Sequence, residues 1–345
     1  MAVSAGIAVL ACAAAAWGSD EPLVCVPGTP LNAGDLSIFR PASPPAHEIR
    51  DLAWLVLWIC GGIFVLVEGA LLWSIVKFRE RGAPVGEPRQ VFGSTPIEMA
   101  WTIVPLLVVF VLALTTVRTI GEVQRTEPPE GALVVDVIGH QWWWEYRVHA
   151  DEKGTPIVTA NELVVPVGRP VWLRLASADV IHSYWVPKLN GKTDLVPGYP
   201  TQTWFTAEHE GVYLGQCAEY CGTQHANMLL RVRAATPAAF AAWCAAQSVP
   251  PVSDERVAEG RARFLDLACA NCHAIEGWCD GAFGPSLTHL MSRETLGAGV
   301  AAMDEASLTA WIRDPQRLKP GCNMPSLKLS EREITEVVAF LLTLK

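Results

Sequence analysis

Two long apolar runs come first among the readable patterns of the chain. Leu52 to Val76 and Ala100 to Val117 are almost free of charge, and each approaches the roughly 20 residues that a helix needs to cross a bilayer. Together they predict a transmembrane helical hairpin over 50–118, with spans at about 52–76 and 100–117. The connection carries Lys77, Arg79, Arg81 and Arg89. Basic residues beside membrane spans favour the cytoplasmic side, so both ends of the hairpin, and all that follows it, are expected outside.

Beyond residue 130 the pattern shortens. Leu133 to Val137, Leu163 to Val165, Val171 to Leu175, Trp204 to Thr206 and Leu229 to Val232 are rich in β-branched and aromatic residues and lie between Gly, Pro and Asp turns, which predicts strands. Several at this spacing predict an all-β Greek-key barrel over 130–235. Pro237 to Ala246 reads as a short helix, and Ser248-Val-Pro-Pro-Val252 as a stiffened linker; 236–252 thus lead to a C-terminal all-α domain over 253–345. In it, Ser253 or Asp254 caps a helix through about Leu265. Asp304 to Arg313 forms another that Pro315 ends by its missing N–H and ring clash. Ser330-Glu-Arg-Glu333 is a capping box opening a final helix whose Ile334, Val337, Val338 and Leu341 form one apolar face. Trp311 is expected in the core.

Composition agrees with this multidomain reading. The 345 residues are 51% hydrophobic, high for a soluble protein, and the excess sits in the two runs. A net charge of −9 argues against nucleic acid and suits a cationic protein partner on an external face. Residues 1–19 are apolar and alanine-rich, as in a secretory leader cleaved near Ala16 or Ser19, but lack its basic n-region. Glu68 stands inside the first run, where an ionisable group is costly and marks an interior-facing or functional position; it is expected to face a partner subunit.

The chemistry concentrates in two places. Gly215-Gln-Cys-Ala-Glu-Tyr-Cys-Gly-Thr-Gln-His-Ala-Asn-Met228 gathers two thiols, an imidazole and a thioether. Such soft ligands select copper over hard cations, and Cys217 and Cys221 can bridge two ions. His182 would complete the set with His225 if the two segments are neighbouring strand ends of one barrel. A Cys217–Cys221 disulfide or a single zinc would use the same spacing, but neither accounts for Met228. The second place is Cys269-Ala-Asn-Cys272-His273, the attachment pattern of a c-type haem, with His273 as axial ligand. A Met/His pair raises the reduction potential as an electron carrier needs. Met291, Met303 and Met324, the last in Pro320-Gly-Cys-Asn-Met-Pro325, compete for the sixth position, and Met324 is preferred because its Met-Pro setting resembles that of class I cytochromes c. Of the ten cysteines, Cys60 in the first span reads as a small hydrophobe. Cys279 and Cys322 flank segments expected to meet at the haem and, in an external compartment, are expected to be bonded.

Cys217, Cys221, His225 and Met228, with His182 ahead of them, resemble the CuA site of cytochrome c oxidase subunit II, and Met324-Pro and Gly284-Pro-Ser-Leu287 resemble class I cytochromes c. The combination is similar to the caa-type oxidases, whose subunit II carries its own cytochrome c. The resemblance implies a cupredoxin-like barrel. It implies that His182 and His225 bind one copper each, that Cys217 and Cys221 bridge, and that Met228 and the Glu219 carbonyl complete the shells. It implies that Trp142, in Gly139-His-Gln-Trp-Trp-Trp-Glu-Tyr146, receives electrons from the surface, with the three tryptophans alternating across a strand.

It further implies a magnesium ion at the Glu219 carboxylate where this subunit meets subunit I. Glu98 matches a glutamate near a proton-uptake pathway, although Thr95-Pro-Ile-Glu98 also reads as a capping box with proline at the first helical position. Tyr199 stands where the family has arginine and cannot offer the same charged fork. The implied function is electron input from cytochrome c through haem c and CuA to subunit I of a proton-pumping terminal oxidase, with subunit III as a further partner. The implied setting is a bacterial inner membrane, in contact with lipid, with both metal domains on the periplasmic side. The electron-input subunit of a CuA-type nitric oxide reductase and a membrane-anchored carrier are the alternatives.

Overall fold

In the computed structural model, residues 36–345 are described, apart from 80–81, 83–89, 91, 152–153 and 252–253. The leader-like segment with Cys12 and Cys25, together with Arg81, Arg89 and Ser253, lies outside the described residues. Two long helices come first: α1, Pro44–Lys77, and α2, Thr95–Val123. They outrun the apolar stretches that predicted them, because hydropathy marks the length suited to lipid whereas helical hydrogen bonding continues until a cap. At about 1.5 Å per residue they span roughly 50 and 45 Å, more than the ~30 Å of a hydrocarbon core. The surplus joins the helices to the next domain. Pro45 and Ala46 are buried, Ser43 Oγ accepts from the Thr206 amide at 3.1 Å, and the Trp204 indole donates to the Val123 carbonyl at 3.1 Å. The N-cap of α2 is Ser94 rather than Thr95, since Pro96 fits the second helical position as well as the first.

The barrel is built from ten strands: β1 Leu133–His140, β2 Trp143–His149, β3 Ile157–Ala160, β4 Glu162–Pro166, β5 Pro170–Ser177, β6 His182–Trp185, β7 Thr193–Leu195, β8 Thr201–Thr206, β9 Gly211–Cys217 and β10 Leu229–Ala235. They form two five-stranded sheets, β3-β2-β1-β5-β8 and β4-β10-β9-β6-β7. All pairings are antiparallel except β1 with β5 and β4 with β10. Alternate residues of β1, Leu133, Val135 and Val137, are fully buried, as the period of two on a strand requires. They pack with Trp144, Tyr146, Leu173 and Phe205 in one core between the sheets. The pairing that matters for the site is β6 against β9, which sets Tyr184 opposite Cys217.

The helix α3, Pro237–Gln247, is capped by Thr236 and ends the barrel. The C-terminal domain holds α4 Ala258–Asp266, α5 Cys269–Cys272, α6 Glu305–Arg313, α7 Pro315–Leu318 and α8 Glu331–Leu341. Asp254 caps a 3₁₀ turn that precedes α4, Asp304 caps α6, and the Ser330 capping box is formed as expected. Proline ends α6 and then opens α7 from its first position, where a missing N–H costs nothing. The first and last helices of the domain cross at Gly260. A Cβ there would lie 2.0 Å from the Glu336 carbonyl oxygen, so only glycine permits the approach that packs Phe264 against Phe340, ring centroids 5.7 Å apart and tilted by 60°.

Candidate metal and haem centres

Neighbouring ends of β6 and β9 bring His182 to Cys217, and the loop from Cys217 to the start of β10 returns Cys221, His225 and Met228 to the same point. The two sulfurs are 3.8 Å apart. His182 Nδ1 lies 4.0 Å from Cys217 Sγ, His225 Nδ1 3.7 Å from Cys221 Sγ, and Met228 Sδ 3.8 Å from Cys221 Sγ. The Glu219 carbonyl faces Cys217 Sγ at 3.2 Å. His182 and Met228 are fully buried, and both cysteines nearly so. All six groups expected from the sequence therefore converge.

Their chemistry calls for a cation. The pair loses a first proton readily: the Cys221 S–H and His182 stabilise a thiolate on Cys217, whose pKa is well below the ordinary thiol value. A second proton is held on Cys221 by that negative neighbour and by burial. A soft cation bound here would displace that second proton and stabilise both thiolates. A disulfide is excluded by the separation, since a bonded pair would stand at about 2.05 Å, and both thiols are free.

Two residues that carried no sequence signal complete this centre. Asp179 Oδ1 accepts from His182 Nε2 at 2.8 Å, which fixes the tautomer and turns Nδ1 toward the sulfurs. The same carboxylate accepts from the amides of Gln141 and Val180. Its pKa is low because these donors and His182 outweigh the opposing effect of burial. Gln141 Nε2 donates to the Cys221 carbonyl at 2.8 Å, and the Trp142 indole donates to the same oxygen at 2.9 Å. Trp142 lies in the turn before β2 and not on the strand, so the alternation begins one residue later: Trp143 is half-buried and Trp144 fully buried. Gly222, at φ +115°, keeps the turn close, because a Cβ there would sit 3.0 Å from Trp142 Cζ2.

The second centre is an open cleft lined by Cys269, Cys272, His273, Leu287, Trp311 and Met324, and also by Trp142 and Trp143 of the barrel. Cys269 and Cys272 share the single turn of α5, which puts both sulfurs on one side for thioether bonds. His273 Nδ1 donates to the Pro285 carbonyl at 2.8 Å, leaving Nε2 for iron, and burial keeps its pKa low and the ring neutral. Gly284 is needed beside it, since a Cβ would come within 2.6 Å of His273 Cε1. Met324, of the three candidate methionines, has its sulfur held from outside: Trp311 Nε1 donates to Met324 Sδ at 3.1 Å. Trp311 is thus a wall of the cleft and not simply core. Arg293, also missed in the sequence, is buried at the cleft with its Nε–H unpartnered among the described residues, as fits the carboxylate edge of a haem.

Cys279 and Cys322 are not bonded. The Cys279 thiol donates to the His273 carbonyl at 3.2 Å and the Cys322 thiol contacts the Met324 carbonyl at 3.6 Å, so each thiol is occupied by its own loop. The Glu219 carboxylate is exposed on the copper loop and Tyr199 is exposed in the turn after β7. Glu98 Oε1 accepts from the Ser94 amide at 3.2 Å, which gives it a place in the cap of α2. Glu68 is half-buried between exposed neighbours on α1.

A barrel with a soft-ligand loop, a c-type haem domain and two long apolar helices define a membrane-anchored electron-transfer protein with two centres. Comparison with known proteins agrees throughout. Residues 32–119 match the model of the cytochrome c oxidase subunit II transmembrane domain, 151–235 that of its periplasmic domain, and 257–345 that of cytochrome c. Cytochrome c oxidase subunit 2 of Alkalihalophilus pseudofirmus is 33% identical over 322 residues, covering 91% of this chain and 92% of that protein. The subunit 2 of Bacillus sp. PS3 is 30% identical over 341 residues, covering 91% and 94%. Among solved structures, the periplasmic domain of subunit II from Bradyrhizobium japonicum is 31% identical, covering 35% of this chain and 96% of that one, with a TM-score of 0.33. The chain belongs to the cytochrome c oxidase subunit II family, in a form that carries a C-terminal cytochrome c domain. The family implies CuA and haem c, and the two donor sets fit them.

Proposed function

We propose that this subunit takes electrons from an external cytochrome c at its haem domain and delivers them through the copper centre to subunit I of a proton-pumping oxidase, where oxygen is reduced. When bound, the haem and the copper pair supply reversible one-electron chemistry with no bond made or broken in the protein. The chain's own residues hold that chemistry in place. Pro285 and Asp179 fix the tautomers of His273 and His182, Trp311 steadies the Met324 sulfur, and burial of Cys217, Cys221 and Met228 keeps water from their sulfurs. Keeping the ligand geometry unchanged between oxidation states limits reorganisation, which is what a fast relay needs.

The observation that carries the reading is the position of Trp142. Its ring lines the haem cleft while its N–H donates to the carbonyl of Cys221, so one side chain touches both centres. The two apolar helices, with Lys77 and Arg79 at their connection, favour a plasma-membrane anchor with the barrel on the periplasmic side. In that orientation the exposed Glu219 and Tyr199 are available to subunit I.

Trp142→Phe in the purified complex tests this reading by flash reduction of haem c followed at the copper band. Loss of the indole N–H contact should slow copper reduction tenfold or more, about 1.4 kcal/mol in barrier, with both optical spectra unchanged. An unaltered rate would remove Trp142 from the path.

A further inference from the structure

Lys319 lies between the cytochrome domain and the barrel and is only 3% exposed. Its Nζ donates to three main-chain carbonyls, those of Trp142, Asn227 and Gly297, each at 2.8 Å. An ammonium has three protons, so its hydrogen-bonding capacity is filled. Two of the acceptors belong to the barrel: Trp142 in the turn before β2 and Asn227 in the copper loop. The third lies in the cytochrome domain itself. Among the described residues no carboxylate pairs with Lys319. A buried ammonium without a counter-charge is costly, and an apolar side chain of the same length would fill the space at lower cost. What an apolar side chain lacks is the capacity to hold three carbonyls from three segments.

The surrounding contacts point the same way. Gln224 of the copper loop donates to the Pro320 carbonyl, and Asn323 Nδ2 donates to the Gln141 carbonyl at 2.8 Å. Residues 319–323, which lead directly into Met324, are therefore stitched to the segments that carry Trp142 and the copper ligands. The series Lys319 Nζ to Trp142 O, then Trp142 Nε1 to Cys221 O, is continuous.

We propose that Lys319 is a positioning residue that locks the cytochrome domain onto the barrel in the arrangement used for internal electron transfer. The proposal rests on the relay reading above. In the transfer itself one electron leaves the haem iron and one is gained by the copper pair, with no proton exchanged. Lys319 sets only the geometry.

The test uses the full complex carrying Lys319→Met, with Lys319→Gln, which keeps two donors and no charge, as a second variant that reads out the same effect where the first loads poorly. Haem c and CuA spectra should be unchanged in both. Hydrogen exchange of the amides at 141–142, 225–228 and 319–323 should rise in the Met variant. Flash-induced copper reduction should fall tenfold or more and acquire a viscosity dependence that the wild type lacks, with the Gln variant intermediate. Exchange and viscosity response identical to wild type in both variants would overturn the role of Lys319. Absence of any internal transfer in the wild type would instead overturn the relay reading, while raised exchange in the variants would still support the lock.

Discussion

Two of the three histidines of the centres, His182 and His273, are each aimed by one oxygen behind them. Asp179 holds His182 and the Pro285 carbonyl holds His273, so in each ring one nitrogen is spent on the protein and the other is directed at the metal position. The carboxylate is the stronger acceptor and is the one that side-chain substitution can remove. Asp179→Ala should lower copper affinity by about 10–100-fold, measured as copper lost to a chelator and followed by electron paramagnetic resonance, while haem c content stays constant. Equal copper retention would mean that the Cys217 and Met228 surroundings orient His182 unaided. The convergence of the candidate donors was legible from sequence because five of them lie in a single loop and the haem-motif cysteines in a single turn. Asp179, Arg293 and Lys319 were not, because their duties arise from groups brought to them by the fold. A lysine before Pro-Gly carries no local mark of burial. Trp311 packs against the core as expected but also lines the cleft, because periodicity shows that a side chain faces inward, not whether it meets packing or a cofactor.

At the level of elements, the sequence-based strands were those with dense β-branched runs; the strands outside them include the short β6 and β7 and the seven-residue β9, whose Gly211 and Gly215 dilute the pattern. β6 spans four residues and β7 three, too few for an alternation to show, although β6 positions His182. The β1–β2 ladder adds an electrostatic feature that alternation does not reveal. Asp136 accepts from His149 and Arg174 at 2.8 and 2.5 Å, and Glu145 accepts from His140 and Arg147 at 3.1 and 2.6 Å. Burial raises both carboxylate pKa values, but the partners outweigh it, leaving them below their ordinary values of 3.8 and 4.5.

Groups whose folded pKa is depressed bind protons later than the unfolded chain does as pH falls. Their stabilisation is complete above the ordinary carboxylate range and is lost as pH falls through it toward the lowered folded values. The urea midpoint of the wild-type barrel should therefore decline below about pH 4.5, in step with carboxylate titration. Asp136→Asn should flatten that decline, starting from a lower midpoint at pH 7. Equal slopes in the two proteins would show that the ladder pairs do not govern acid sensitivity.

The whole molecule is held by several contacts across the interface between barrel and cytochrome domain. Lys319 ties the segments of Trp142 and the copper loop to Gly297, and Glu162 of the barrel holds the 294–295 segment just before it. From the start of β4, Glu162 Oε1 accepts from the Thr295 amide at 2.7 Å and Oε2 from the Glu294 amide at 2.9 Å. Arg231 on the neighbouring β10 approaches the Glu294 carboxylate at 3.5 Å. His289 adds a tie beside the linker, with its ring nitrogens facing the Gln247 and Lys345 carbonyls. Two anchors on one rigid interface make the domains resist separation more than either would alone, because the second forms at high effective concentration once the first is made.

Breaking the Glu162 anchor should therefore loosen the cytochrome domain while the ligands of both centres stay in place. Glu162→Gln retains one acceptor oxygen but loses its charge and leaves one of the two amides facing an NH₂ group. Charge-assisted hydrogen bonds contribute about 1.5–3 kcal/mol, and the partial exposure of this pair puts the expected loss near the lower figure. In calorimetry of the haem-loaded, copper-loaded chain, the cytochrome transition should shift down by a few degrees and separate from that of the barrel. Copper and haem spectra should stay as in the wild type. A joint, unshifted transition would place the coupling between the domains at the Lys319 contacts alone.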